Sequence, residues 1–300
     1  MWKNICAVLL AGMLVVAGTE THAQNSLSKE AQSSLSALED SLVAVADSMY
    51  SDALFPDLRA AKSEQFARQL VRALKVENSW NYPFDKLKRK INIIYPEDKT
   101  FRIFNWAIAP SEVTRRYYGA IQLPATQLKL YGLIDYTVDL GKGAADSVLT
   151  GGKWMGCLYY RIMDKVVDGH KIYTLFGLNA GNAQSNLKFL DALELTPTGP
   201  VFGAQIFGIR SELYPSRRVS RFILEYKKDV NASMNWDNDL NAIMFDRLVS
   251  QINDPNRKYT YVPSGQYDGF RWDGREWRLV QDLIPVLQLK DGEAPVDQPQ

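Results

Sequence analysis

The chain is short of the two residues that most often carry chemistry. It has 2 cysteines and 2 histidines in 300 residues. One of each, Cys6 and His22, falls in an N-terminal stretch that reads as a leader. Lys3 supplies the positive start, residues 5–17 are apolar, and Thr21-His22-Ala23 is a small-residue exit of the kind a signal peptidase cuts. Cleavage is expected after Ala23, with Thr19 as the alternative, so residues 1–23 are expected to be a signal peptide. The apolar run is too short for a membrane anchor, which needs about 20 residues. No cysteine stands at the cut, which argues against a lipoprotein. The protein is therefore expected to be exported, to the periplasm or cell surface.

Without the leader, Cys157 and His170 are the last of their kinds. A lone cysteine cannot close an internal disulfide. A Cys/His zinc site lacks its ligands, and a nucleophile–histidine site would have to use His170. Cys157 lies in an apolar strand and reads as a buried, inert thiol. Charge of one sign is also lacking. The formal net charge is +1, so no global field favours nucleic acid or an anionic membrane. No later stretch is long and apolar enough to span a bilayer as a helix. At 46% hydrophobic and 23% charged residues, the chain has ample material for a core.

What is present divides by periodicity. Over residues 27–50, Leu35, Leu38, Leu42, Val45 and Met49 recur three and four apart, which places them on one helical stripe. A second helix is expected from an Asp57 cap to about residue 76, burying Phe66, Leu70 and Leu74. Residues 24–77 thus read as a helical hairpin, whose stripe packs on its partner helix or on the rest of the protein; a partner-binding coiled coil is the alternative. Residues 78–89 read as a linker. From about residue 90 the period becomes two. Strands are expected at 91–94, 101–106, 117–123 and 127–136, then a glycine-containing loop at 140–153. Residues 187–195 are an ambiguous apolar run. Further strands are expected at 201–207, 222–226, 232–236 and 242–245, although 240–248 also fits a helical turn.

The stretch 153–178 organises the middle of the chain as a long hairpin turning on Asp168-Gly169, since a type I′ turn needs positive φ at both central residues. Val167 would then face His170, Arg161 Phe176, Ile162 Leu175, and Tyr160 Gly177. Trp154, Leu158, Tyr160, Ile162 and Leu175 would share one face; Met155, Cys157, Tyr159, Met163, Ile172, Phe176 and Leu178 would share the other. Both faces are apolar at the open end, which predicts cover on each side and neighbouring strands on both edges. Asp164, Lys165 and Lys171, near the turn, would reach water. A last hairpin is expected at Asp273-Gly274, pairing Trp272 with Arg275, Arg271 with Glu276 and Phe270 with Trp277. Residues 279–289 would continue as strand, and 290–300 would form a disordered tail.

About a dozen short strands without intervening helices predict a mainly β protein: an antiparallel sandwich or barrel-like domain over residues 90–289, preceded by the helical hairpin. A small β-propeller is the alternative, although no repeat of about 40–50 residues supports it.

Candidate chemistry is thin. Asn235, Asp237, Asp239 and Asn241 alternate as calcium ligands do, with Asp246 eleven residues after the first. The glycine and closing glutamate of such a loop are missing, and turn-forming hydrogen bonds explain these residues equally well. Asp237, Asp239, Asp246, Asp268 and Asp273 near Trp236, Tyr267, Trp272 and Trp277 keep glycoside hydrolysis open, a reaction that needs paired carboxylates but no histidine. Asp273 is better explained by its turn. Arg115-Arg116 and Arg217-Arg218 with Arg221 read as solvated loop faces, with phosphate or carboxylate binding as the alternative. The glycine-containing loop at 140–153 lacks the Gly-Lys-Ser/Thr of a phosphate loop. Asn231-Ala-Ser233 fits a glycosylation acceptor. No catalytic, cofactor-binding or metal-binding residue is assigned.

The runs RIFNWAI, KIYTLFGLN, GPVFGAQIF, RFILEYKKDVNASMNWD, AIMFDRL and YVPSGQYDGFRWDGREW together resemble a group of uncharacterised exported proteins of Bacteroidetes-type bacteria, over roughly residues 90–280. The resemblance implies secretion and a β-rich body, and no activity. The expected function is an exported, non-catalytic binding or envelope-associated protein, with an envelope protein or carbohydrate as partner. A histidine-independent, glycoside hydrolase-like enzyme is the alternative.

Overall fold

The computed structural model describes residues 27–111, 114–211 and 214–285. The expected signal peptide, the tail and the end of the last strand lie outside them. The leucine stripe forms α1 (Lys29–Met49), capped by Ser28, whose hydroxyl accepts the Ala31 N–H at 3.1 Å. Leu35, Leu42, Val45 and Met49 are buried and Leu38 is partly so. α2 (Pro56–Leu74) does not use the expected Asp57 cap. Phe55 holds the cap position without a side-chain bond, and Pro56 opens the helix with its φ already set and no N–H to satisfy. Asp57 sits in the first turn, where the helix dipole favours a negative charge.

The stretch after α2 is packed against α1. Phe84, Leu87 and Ile91 are buried. Glu39 of α1 accepts the Tyr82 hydroxyl at 2.7 Å and the Lys86 and Leu87 N–H groups at 2.8 and 2.9 Å. Burial and the Glu39 carboxylate push the Tyr82 phenol up to about 12.

Strands follow in three open sheets. The first contains, in order, β1 (Asn92–Ile94), β2 (Arg102–Ile108), β3 (Arg116–Leu123), β4 (Lys129–Asp135) and β5 (Lys153–Trp154), with β5 parallel to β4. The second starts with β6 (Leu158–Val167), β7 (His170–Asn179), β8 (Ser185–Thr196) and β9 (Gly199–Phe202). β10 (Phe207–Ser211) and β11 (Tyr214–Val219) pass to the third sheet, and β12 (Arg221–Lys227) returns to pair with β8. β13 (Met234–Asp237), β14 (Ala242–Ser250), β15 (Tyr261–Trp272) and β16 (Trp277–Val280) complete the third sheet, ordered β11-β10-β16-β15-β14-β13, with β10 parallel to β16.

Alternation of side chains decides the stacking. Phe104, Trp106 and Ile108 of β2 face the helices, whereas Phe101 and Ile103 face the second sheet. In β7, Tyr173 and Leu175 point to the first sheet, and Ile172 and Phe176 to the third. Helices and three sheets therefore form four layers with three cores, and among the described residues no sheet closes into a barrel. The mainly β body behind a helical pair is as expected, built from stacked open sheets.

The central hairpin turns where expected. Asp168 and Gly169 have φ of 48° and 83°, and Val167 pairs with His170, Ile162 with Leu175 and Arg161 with Phe176. At Tyr160 a bulge shifts the ladder, so Tyr159 rather than Tyr160 faces Gly177. One extra residue flips everything beyond it. Cys157 and Tyr159 therefore join Trp154, Ile162 and Leu175 in the core against the first sheet. Tyr160 turns toward the third sheet and donates to the Met234 carbonyl at 2.8 Å. Both faces are covered, but β6 is an edge strand, not an interior one. Side chains of the first sheet close that edge: Asn105 donates to the Cys157 carbonyl at 2.7 Å, and Asn92 donates to that of Tyr159.

Two other expectations are corrected. Residues 201–207 are not one strand; β9 ends at Phe202 and β10 begins at Phe207 in another sheet. The crossing passes Gly203, whose φ of 100° and close approach to the Ser147 carbonyl exclude a side chain. The Asp273-Gly274 hairpin closes over four residues. Asp273 accepts the Arg275 and Glu276 N–H groups at 2.9 and 2.8 Å, and Gly274 alone of the two glycine-turn residues takes a positive φ. Trp272 thus pairs with Trp277, Arg271 with Arg278 and Phe270 with Leu279.

Asp98, in the β1–β2 turn, ties the first sheet to β7. It accepts Lys171 Nζ at 2.6 Å, the Tyr173 hydroxyl at 3.1 Å, and the Thr100 hydroxyl and N–H at 2.8 and 3.1 Å. Burial alone would push this carboxyl up; the Lys171 ammonium and the Thr100 donors outweigh it and hold it at about 2. A carboxyl depressed by folding stabilises above its unfolded value and loses that contribution as pH falls through the folded one. Asp98→Asn is expected to lower the melting temperature at neutral pH. Its difference from the unaltered protein should shrink between about pH 4 and about pH 2. Thermal unfolding followed by circular dichroism checks this; an offset independent of pH would deny the carboxylate its role.

Candidate functional site

The hairpin ends of the second and third sheets meet at a tryptophan cluster. Trp272 and Trp277 are cross-strand partners on β15 and β16, and Trp236 comes from β13 on the far edge of the same sheet. Their rings pack edge to face, Trp272–Trp277 at 5.2 Å and Trp236–Trp277 at 6.2 Å between centroids. Trp277 forms the buried base, its indole N–H donating to Thr174 Oγ1 at 2.8 Å. Trp236 and Trp272 are half-buried and form the rim. Trp236 donates to Asn238 Oδ1 at 2.8 Å, which fixes its ring.

Lys165 closes the cluster from the second sheet. It shares the inward face of β6 with Met163 and Val167. Its ammonium lies 5.3, 5.9 and 6.0 Å from the centroids of Trp277, Trp272 and Trp236, within the range of cation–π attraction. Lys165, expected to reach water beside the turn, is half-buried against the indoles. Arg275 donates to Asp168 at 3.2 Å and bridges the two turns beside the cluster.

The nearby acids are spoken for. Asp237 caps its own turn through the Leu240 N–H at 2.9 Å. Asp246 accepts the Ser233 N–H at 2.6 Å. Asp268 receives Arg247 on both oxygens and the Asp282 N–H at 3.0 Å, and this pairing holds the guanidinium of Arg247 well above its ordinary range. Backbone donors from Glu276 and Arg275 hold the Asp273 carboxyl below the usual range. In register, Asp246 faces Tyr267 and Asp268 faces Phe245, so their carboxylates leave opposite faces of the sheet. Asp239 is exposed, as is Asn231 of the glycosylation pattern. Among the described residues no three His, Cys, Asp or Glu side chains converge on a common point.

The other singled-out residues scatter. His170 is exposed at the turn, 3.9 Å from Glu194. Cys157 is buried in the core between the first two sheets, where burial pushes its thiol well up. Arg221 is not on a solvated loop, as its sequence neighbours suggested. It is fully buried, paired with Asp191 at 2.8 Å, and donates to the Ala144 and Ser147 carbonyls at 3.1 and 2.7 Å. The glycine-containing loop thus wraps an arginine rather than a phosphate. Arg217 and Arg218 pair with Asp146 and Glu276. Arg115, of the basic pair singled out in the sequence, lines an open cleft of about 580 Å³ with Asp52, Phe55, Arg59 and Ser111.

No family model, curated protein or solved structure matches this chain.

Proposed function

We propose that the protein is an exported, non-catalytic binding protein that takes carbohydrate at the Trp236–Trp272 rim. The observation that carries this reading is the convergence of three tryptophans from three strands around Lys165, with two rings left half-open. Indole faces suit the CH faces of a sugar, and the Asn238 amide and Lys165 ammonium offer donors to its hydroxyls. The local carboxylates favour binding over hydrolysis, because Asp237, Asp246, Asp268 and Asp273 are each committed to backbone or arginine partners. Export rests on the leader-like residues 1–23. No described helix is long and apolar enough to cross a membrane, which leaves strand-built spans unaddressed.

The test is a glycan array followed by calorimetry on the strongest ligand. Trp272→Ala is expected to weaken binding about tenfold, while Trp272→Phe retains most of it. Binding to no glycan, or undiminished binding by Trp272→Ala, would remove this reading.

A further inference from the structure

The outer face of the third sheet carries a row of arginines set by strand register. Gly208 on β10 lies opposite Arg218 on β11 and beside Arg278 on β16, and Arg278 lies opposite Arg271 on β15. Residues directly abreast share a face; their neighbours Phe207, Trp277 and Phe270 fill the core on the other side. Arg210, two residues beyond Gly208, joins the row and lies 4.0 Å from Glu276. Side chains of Arg210, Arg218 and Arg278 are 64%, 58% and 53% exposed, and Arg271 is exposed too.

One buried carboxylate organises the row. Glu276 is 3% exposed. It receives Nε of Arg218, and Nε of Arg278 lies 3.4 Å away. Asp273 also reaches Arg278 Nε, at 2.5 Å. Glu276 sits low on the sheet because Gly208 has no side chain; a Cβ there would lie 3.0 Å from Oε1. Both arginines are therefore paired with these acids through Nε, while each side chain is more than half exposed, so the Nη fork is not used by these acid pairs. That fork is the geometry that grips sulfate, phosphate or carboxylate with two parallel hydrogen bonds. Four guanidiniums against Glu276 and Asp273 give a local positive excess that the chain's net charge of +1 conceals.

We propose that this face binds an anionic polysaccharide, a chain carrying sulfate, phosphate or carboxylate groups at intervals. The row crosses three strand spacings, a straight track of roughly 14 Å, which suits repeating charges on an extended polymer. None of the large apolar side chains exposed among the described residues lies on β10, β11, β15 or β16, so the described part of the face offers no exposed apolar anchor for a bilayer. The surface is distinct from the tryptophan rim, and each can fail without the other.

The experiment compares binding of the purified protein to heparin, to neutral dextran and to phosphatidylglycerol vesicles. Heparin is expected to bind, with affinity falling as salt rises. R218Q/R278Q is expected to weaken it about a hundredfold, at about tenfold per lost fork. R68Q/R72Q, an equal change of charge on exposed α2 positions, is expected to leave it unchanged. Thermal melts confirm that both variants fold. The proposal is overturned if heparin binds no better than dextran, if the two double variants weaken it equally, or if the vesicles bind and heparin does not.

Discussion

Asp191→Ala is expected to destabilise the protein by about 3–5 kcal/mol, measured as the shift in urea unfolding free energy. Asp191 and Arg221 are both fully buried between the first two sheets. Burial pushes the Asp191 carboxyl up, and the Arg221 guanidinium opposes it. With Asp191 gone, the guanidinium stays in the core with no counter-charge, held by the Ala144 and Ser147 carbonyls. The pair as a whole stabilises far less than the loss of one member suggests, because two ions had to leave water to form it. D191L/R221M should therefore recover much of the loss. Recovery stays incomplete because the two loop carbonyls lose their donor. A loss below about 1 kcal/mol for Asp191→Ala would mean that the guanidinium had found water.

The second large effect is expected at Arg102, which lies fully buried with no carboxylate beside it among the described residues. Aromatic faces stand in for the missing anion. The guanidinium carbon is 4.9 Å from the Phe104 ring centroid, 5.1 Å from Phe84 and 5.3 Å from Trp80. Its nitrogens donate to Gln122 Oε1 at 2.8 Å, to the Tyr82 and Ser79 carbonyls at 2.7 and 2.9 Å, and to the Tyr95 hydroxyl at 2.9 Å. Arg102→Met fills much of the volume but strands those acceptors, at about 1–3 kcal/mol for each one left dry. A total of about 3–5 kcal/mol is expected from chemical unfolding. Arg102→Lys should recover part, since an ammonium satisfies fewer acceptors. If Arg102→Met unfolds at the same urea concentration as the unaltered protein, the guanidinium does not hold this corner.

Local chemistry explains which parts of this fold were legible in the sequence. Asp168-Gly169 and Asp273-Gly274 are the same dipeptide, and only the first makes a two-residue turn. In the second, the Asp273 side chain satisfies two amides of the loop, so the chain gains hydrogen bonds by closing two residues later. Register near the Asp168 turn was correct as far as Arg161. Beyond it the bulge reversed the faces, and nothing in LYYRI distinguishes a bulged strand from a regular one. The helical stripe was readable because its period is unambiguous. The candidate site was half readable: Trp236, Trp272 and Trp277 stood out as residues, but their meeting depends on sheet order. Lys165 could have been assigned inward by its parity with Met163. The arginine row was out of reach, since it needs β10 to run parallel to β16 across about 70 residues of chain.

That parallel joint constrains how the polypeptide can mature. β10 has β11 on one flank, but its other flank waits for β16, the last described strand to be made. Until Trp277 and Arg278 emerge, β10 presents a naked row of amides and carbonyls, a template for pairing with another copy. A chain truncated ahead of Trp277 should therefore accumulate as aggregate, whereas the intact chain stays dispersed. On that expectation, assembly is gated by the arrival of β16 rather than by the helices made first.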